Sequence, residues 1–165
     1  MDNRILPEEA AVLALKENGL HIAFAESCTG GGVASRITDV AGASAVFECG
    51  IVCYSNNIKH SVLGVSEETL KKFGAVSEQT AAELSNGVRK ISNADIGVSV
   101  TGFAGPTADE PGKSVGLIYI GISDSNSCKV IKLETNDSAD GCRYRNRKRA
   151  QDEIFTLISE FINNR

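Results

Sequence analysis

The run Phe24-Ala25-Glu26-Ser27-Cys28-Thr29-Gly30-Gly31-Gly32 constrains the fold of this chain more than any other stretch. An apolar segment, His21 to Ala25, leads into it, and Val33-Ala34-Ser35-Arg36-Ile37 follows with the character of a helix. A strand, a tight turn bearing hydroxyls and a thiol, a glycine cluster and a helix start thus succeed one another directly. Such a junction exposes a side chain at the end of a sheet. It also aims main-chain N–H groups and the positive helix end at one spot, where an anion or a developing oxyanion is favoured. Ser27 is the candidate nucleophile. The competing reading is that Ser27 or Thr29 only caps the helix, while the glycines let helix and strand pack closely.

Around this junction the pattern alternates between helix and strand. Leu6-Pro7-Glu8-Glu9 opens a helix whose apolar side is Val12, Leu13 and Leu15, ending by Gly19. Ile22 to Ala25 reads as the first strand. Val46 to Tyr54, apolar and β-branched, reads as a buried strand that runs into a short helix capped by Ser55 or Asn56 and carrying Lys59 and His60. Ser66-Glu67-Glu68 and Ser77-Glu78-Gln79 are helix starts, the second leading a helix to about Ile91. Asp95 to Thr101 is a third strand ending in the turn Gly102-Phe103-Ala104-Gly105-Pro106. Val115 to Ile122 and Lys129 to Leu133 flank a hairpin-like Ser123 to Ser127. Ile154, Leu157, Ile158 and Phe161 then recur at helical spacing after Gly141. These elements predict one domain over 1–165 of α/β class, a three-layer α/β/α sandwich around a mixed, about five-stranded sheet.

Composition excludes several classes. Seventeen basic against twenty-one acidic residues, a net charge of −4, argue against a general nucleic-acid binder. No apolar run approaches the roughly 20 residues that cross a bilayer. Met1-Asp2-Asn3-Arg4 precedes an amphipathic segment rather than an apolar signal core, so a cytoplasmic location is expected. The cysteines, Cys28, Cys49, Cys53, Cys128 and Cys142, form no C-x-x-C pair, which fits free thiols and no structural zinc. Arg143, Arg145, Arg147, Lys148 and Arg149 form a basic cluster that is either a solvated helix face or an anion site. Arg143 and Arg147, four apart, would share a face and could converge on one phosphate.

In a sheet of this type ligands sit beyond the carboxyl ends of parallel strands. Three such ends carry reactive groups or turns here: Ser27 to Gly32, Tyr54 to Lys59, and Thr101 to Gly105. A serine needs a base. The only histidines are His21 and His60, so the serine, acid, histidine order of α/β-hydrolases is absent. Lys59 remains: a buried lysine has its pKa lowered toward neutrality, and Tyr54 would relay or orient the proton. Taken singly, each has a plain alternative as an exposed helix lysine and a strand-end aromatic. Gly112-Lys113-Ser114 is not a Walker A loop, because Thr107 stands where the first glycine belongs, a strand follows, and Asp109 and Glu110 would repel phosphates. Tyr54-Ser55-Asn56 lacks the Ser-x-x-Lys partner of penicillin-recognising enzymes.

Taken together, these segments resemble the C-terminal domain family of the competence/damage-inducible protein CinA, whose characterised members are nicotinamide-nucleotide amidases. The resemblance rests on Ala25-Glu26-Ser27-Cys28-Thr29-Gly30-Gly31, Tyr54-Ser55-Asn56 with Lys59, Leu63-Gly64-Val65, and Gly74-Ala75-Val76-Ser77. It continues in Thr101-Gly102 through Gly105-Pro106, Pro111-Gly112-Lys113 with Val115-Gly116, and Arg143 and Arg147. It implies conversion of nicotinamide mononucleotide to nicotinic acid mononucleotide and ammonia, with no cofactor and no metal. Ser27 would be the nucleophile and Lys59 the base, assisted by Tyr54. Thr29, Gly30, Gly31, Thr101, Gly102, Gly105, Arg143 and Arg147 would bind the nucleotide, and the protein would associate with itself as a dimer or higher oligomer. Two departures from the family pattern stand out: Cys142 replaces an acid before the first arginine, and Ser114 replaces a proline. The alternative is a non-catalytic nucleotide-binding or regulatory module that uses the same pocket.

Overall fold

The computed structural model describes residues 5–165; the leader reading made on Met1 to Arg4 lies outside the described residues. Helix α1 (Pro7–Glu17) starts on a proline with Glu8 and Glu9 at its positive end. It leads to strand β1 (Ile22–Glu26), after which come α2 (Gly32–Thr38) and β2 (Phe47–Val52). Helices α3 (Asn56–Ser61), α4 (Glu67–Phe73) and α5 (Glu78–Ser92) follow, then β3 (Ile96–Gly102), β4 (Leu117–Ser123), β5 (Cys128–Glu134) and the long α6 (Cys142–Asn163).

The strands form one mixed sheet in the order β2-β1-β3-β4-β5. β1 runs parallel to both β2 and β3, whereas β3 with β4 and β4 with β5 are antiparallel. Helices cover both faces, as the sequence predicted. Because side chains alternate across a strand, Ile22 and Phe24 of β1 enter the core under α1, α2 and α6, whereas Ala23 and Ala25 enter the second core under α5 and the α3–α4 segment. Small residues bring α5 close to the sheet. A Cβ on Gly97 would lie 2.1 Å from the Ser85 carbonyl oxygen, and one on Gly121 would lie 2.6 Å from that of Ala81.

One strand differs from expectation. The run from Val46 to Tyr54 reads as a buried strand, yet β2 is an edge strand, and its residues alternate between partly covered and open, with Val52 half exposed. Its β-branched residues carry the signal of a buried parallel strand, but only β1 pairs with it. The β4–β5 hairpin forms as predicted, closed by the Asp124 N–H donating to the Ser127 carbonyl at 2.9 Å. No helix among the described residues is long and apolar enough to cross a membrane.

Candidate active site

The strand order places β1 between two parallel neighbours reached by crossovers on opposite sides, the arrangement that opens a crevice at the carboxyl ends of the strands. Ser27 follows β1, Cys53 and Tyr54 follow β2, and Phe103 follows β3. The three ends predicted to converge therefore do so. A cleft of about 360 Å³, within the usual range for small-molecule sites, is lined there by Ser27, Cys28, Tyr54, the turn from Gly102 to Thr107, Asp109 and Arg143.

Lys59 is placed by α3. The Ser55 hydroxyl caps this helix by accepting from the Ile58 N–H at 3.2 Å, and the helix turns Lys59 inward until only 1% of it is exposed. Its Nζ donates to the carbonyls of Cys53 at 2.7 Å and Tyr54 at 3.1 Å and lies 3.1 Å from Ser27 Oγ. Burial lowers the Lys59 pKa below the ordinary lysine value, opposed by the nearby thiols of Cys53 and Cys28. A neutral amine has two hydrogens and one lone pair. In that form the two carbonyls would engage the hydrogens and leave the lone pair for the Ser27 hydroxyl; the ammonium would instead donate to all three oxygens.

Cys28, beside Ser27, is a poor candidate nucleophile. Burial pushes its thiol up to about 12, so a thiolate is inaccessible at neutral pH. Tyr54 meets Lys59 through its carbonyl. Its phenol lies 3.1 Å from Arg143 Nη2, whose guanidinium also donates from Nη1 to the Gly105 carbonyl at 2.8 Å.

The turn after β1 departs from expectation in one respect. The N–H groups at the start of α2 do not face an empty anion site, because Glu26 fills it. The alternation of β1 sends Glu26 toward α2, where it is 1% exposed. Its Oε2 accepts from the Thr29 hydroxyl at 2.6 Å, the Gly31 N–H at 3.1 Å and the Val33 N–H at 3.0 Å, and its Oε1 accepts from the Ala34 N–H at 2.8 Å. Neither Ser27 nor Thr29 caps the helix. Gly31, in the left-handed region, is the capping position, and no side chain bonds from it. Among the described residues, no protein group accepts from the N–H of Cys28 or Thr29. Sequence reasoning assigned Glu26 no role; the available signal was a carboxylate with core parity at the end of a strand, directly before a helix start.

The other predicted binding residues divide. Gly102, Gly105 and Arg143 line the cleft. Thr101 does not: it shares the parity of Ser99, faces α5 and donates to the Ala75 carbonyl at 2.8 Å. Thr29 is fully buried against Glu26. Gly30 and Gly31 shape the turn and lie outside the cleft lining. Arg143 and Arg147 do not converge. Arg147 donates to the Thr29 carbonyl at 2.8 Å and lines a separate hollow with Arg36 and Lys148. The rest of the basic cluster is largely a solvated face, in which Arg145 pairs with Asp137 and Lys148 lies 4.0 Å from Asp152.

Both departures from the family pattern are accommodated. Cys142 is buried against Gly105, where a Cβ on the glycine would meet its Sγ at 2.6 Å, and Arg143 still reaches the cleft. The segment preceding Ser114 is tied down by Lys113, which donates to the carbonyls of Phe73 at 3.1 Å and Val76 at 2.7 Å. Those contacts, and the strand that follows, give Lys113 no likeness to a phosphate-binding P-loop lysine. Among the described residues, no group of three histidine, cysteine or acidic side chains is arranged to hold a metal ion.

The fold and the cleft define a class: α/β/α proteins with a mixed sheet and a buried serine–lysine pair beyond the carboxyl end of the central parallel strand. Residues 6–162 match the CinA C-terminal domain, and the chain belongs to this family. A CinA-like protein of Kosmotoga olearia is 51% identical over 138 residues, covering 84% of this chain and 34% of that protein. Among solved structures, a competence/damage inducible protein of Agrobacterium tumefaciens has a TM-score of 0.86 at 35% identity, covering 95% of each chain. A CinA superfamily protein of Klebsiella pneumoniae has a TM-score of 0.90 at 27% identity, covering 96% of this chain and 97% of its own. The chain spans about a third of the length of the curated relatives it matches.

Proposed function

We propose that this protein hydrolyses the carboxamide of nicotinamide mononucleotide to nicotinic acid mononucleotide and ammonia. The observation that carries this reading is the buried Lys59 amine 3.1 Å from Ser27 Oγ, held by main-chain carbonyls at 2.7 and 3.1 Å. In the first step Ser27 Oγ attacks the carboxamide carbon and its proton passes to Lys59 Nζ. Collapse of the tetrahedral intermediate breaks the C–N bond, and Lys59 returns the proton to the departing nitrogen, which leaves as ammonia. Water, deprotonated by the same amine, then cleaves the ester and restores the serine hydroxyl.

Because Glu26 occupies the start of α2, the oxyanion falls to the N–H of Cys28, which lines the cleft, such a donor typically being worth roughly 2.7 to 4 kcal/mol. The 5′-phosphate is assigned to Arg143 and the first turn of α6, which carries no side-chain cap. The fixed charge of the pyridinium ring makes the carboxamide more electrophilic, so a modest nucleophile suffices. Self-association, expected from the family resemblance, belongs to the same proposal.

The test is ammonia release from nicotinamide mononucleotide, measured beside free nicotinamide. Release from the mononucleotide with strong preference over the free base supports the reading. No release, together with measurable nucleotide binding, would identify a non-catalytic binding module instead.

A further inference from the structure

Two ionic groups line the cleft, Asp109 and Arg143, and neither is paired with an opposite charge among the described residues. Arg143 spends its N–H groups on a carbonyl and a phenol. Asp109 has one oxygen held by the Thr107 hydroxyl at 3.1 Å and, among the described residues, no cation within salt-bridge distance of either oxygen. Its neighbour Glu110 is different, since Lys113 neutralises it and ties it to the α4–α5 connection. The loop thus compensates one of two adjacent acids and presents the other to the cleft. Phe103 stands in the same lining, its backbone fixed by its N–H donating to Leu117 and its carbonyl accepting from Gly116. An aromatic face and an uncompensated carboxylate are complementary to a flat organic cation. A guanidinium in the same cleft is complementary to a phosphate.

Resting on the amidase reading, we propose that Asp109 is a specificity-determining residue that reads the charge of the nicotinamide ring, so that the cleft selects the oxidised, pyridinium mononucleotide over its uncharged 1,4-dihydro form. The two ligands share ribose, phosphate and carboxamide and differ at the ring that Asp109 and Phe103 would face. Asp109 also keeps the cleft from being purely cationic, which disfavours simple phosphates that lack a compensating positive charge. The ring charge is the one feature lost on two-electron reduction, so this single carboxylate distinguishes redox states of one nucleotide without any redox chemistry of its own.

The experiment titrates folded Ser27→Ala, which binds without turnover, with oxidised and reduced nicotinamide mononucleotide by calorimetry. It then repeats both titrations in Ser27→Ala/Asp109→Asn and Ser27→Ala/Asp109→Lys. For a solvent-accessible charge contact, the oxidised form should bind roughly three to ten times more tightly than the reduced form in the first protein. The preference should shrink toward unity with Asn and invert with Lys, and salt should reduce it in the first protein. Equal preference in all three proteins would overturn the inference while leaving the amidase reading in place. Failure of every variant to bind either nucleotide would overturn the reading and the inference together.

Discussion

Two helices begin beside the candidate site, and they treat their positive ends in opposite ways. The start of α2 is closed by the chain's own Glu26 carboxylate, which accepts three main-chain N–H groups and a hydroxyl. The start of α6 is uncapped by any side chain and lies against the cleft wall at Gly105, with Arg143 in its first turn. The comparison teaches that a glycine-rich strand-to-helix junction is not by itself an anion site. What counts is whether a nearby carboxylate has the parity to reach it. In this protein the first junction is closed by its own carboxylate beside Ser27, and the second is the end to which the proposed function assigns the phosphate.

Removing the amine that faces Ser27 should have the largest effect. Lys59→Met removes the proposed base while keeping an apolar stem, and kcat/KM for ammonia release should fall by about a thousandfold or more. Activity in the variant near the wild-type level would show that another group takes the proton. Next comes the closed junction itself. Glu26→Gln replaces an acceptor oxygen with a donor against N–H groups, so unfolding free energy should drop by roughly 2 to 4 kcal/mol in chemical denaturation. A loss under about 0.5 kcal/mol would mean that the α2 start does not depend on the carboxylate.

The open end is probed by Arg143→Ala, which should raise KM for the mononucleotide by about ten- to a hundredfold with a smaller change in kcat. Arg147→Ala should act mainly on stability, because that guanidinium holds the Thr29 carbonyl outside the cleft. Equal KM effects would restore the idea that both arginines meet one phosphate. The smallest expected signal is in pH. The Lys59 pKa is lowered by burial, so kcat/KM should rise with pH along a limb centred below the ordinary lysine value, as the ammonium loses its proton. The sign for stability is the same. The unfolded chain binds the proton more tightly, so this group's contribution favours folding increasingly as pH rises from the folded pKa toward the unfolded one. A limb that persists unchanged in Lys59→Met would belong to another group.

Much of the architecture was legible because its signals are local. Helix starts at Ser66 and Ser77, the Asp124 to Ser127 turn and the apolar run of β1 each carry their own chemistry. β2 has the composition of a buried strand yet lies at an edge, because periodicity and branching report what a strand prefers to touch, and not how many neighbours it finds. The Ser27, Tyr54 and Lys59 segments were placed together by the rule for strand ends, which needs only topology. Thr101, Arg147 and Glu26 were harder to place. Their roles depend on side-chain parity and reach: Thr101 turns to the α4–α5 connection at Ala75, Arg147 folds back on Thr29, and Glu26 reaches across to α2. A four-residue spacing put Arg143 and Arg147 on one helical face, yet it does not say which hollow that face serves.

The most direct measurement is ammonia release from nicotinamide mononucleotide by wild type and Ser27→Ala, purified identically and matched for folding by circular dichroism. The account predicts steady release by wild type, stoichiometric with nicotinic acid mononucleotide, and none above background by the variant. Equal release by the two proteins would contradict it.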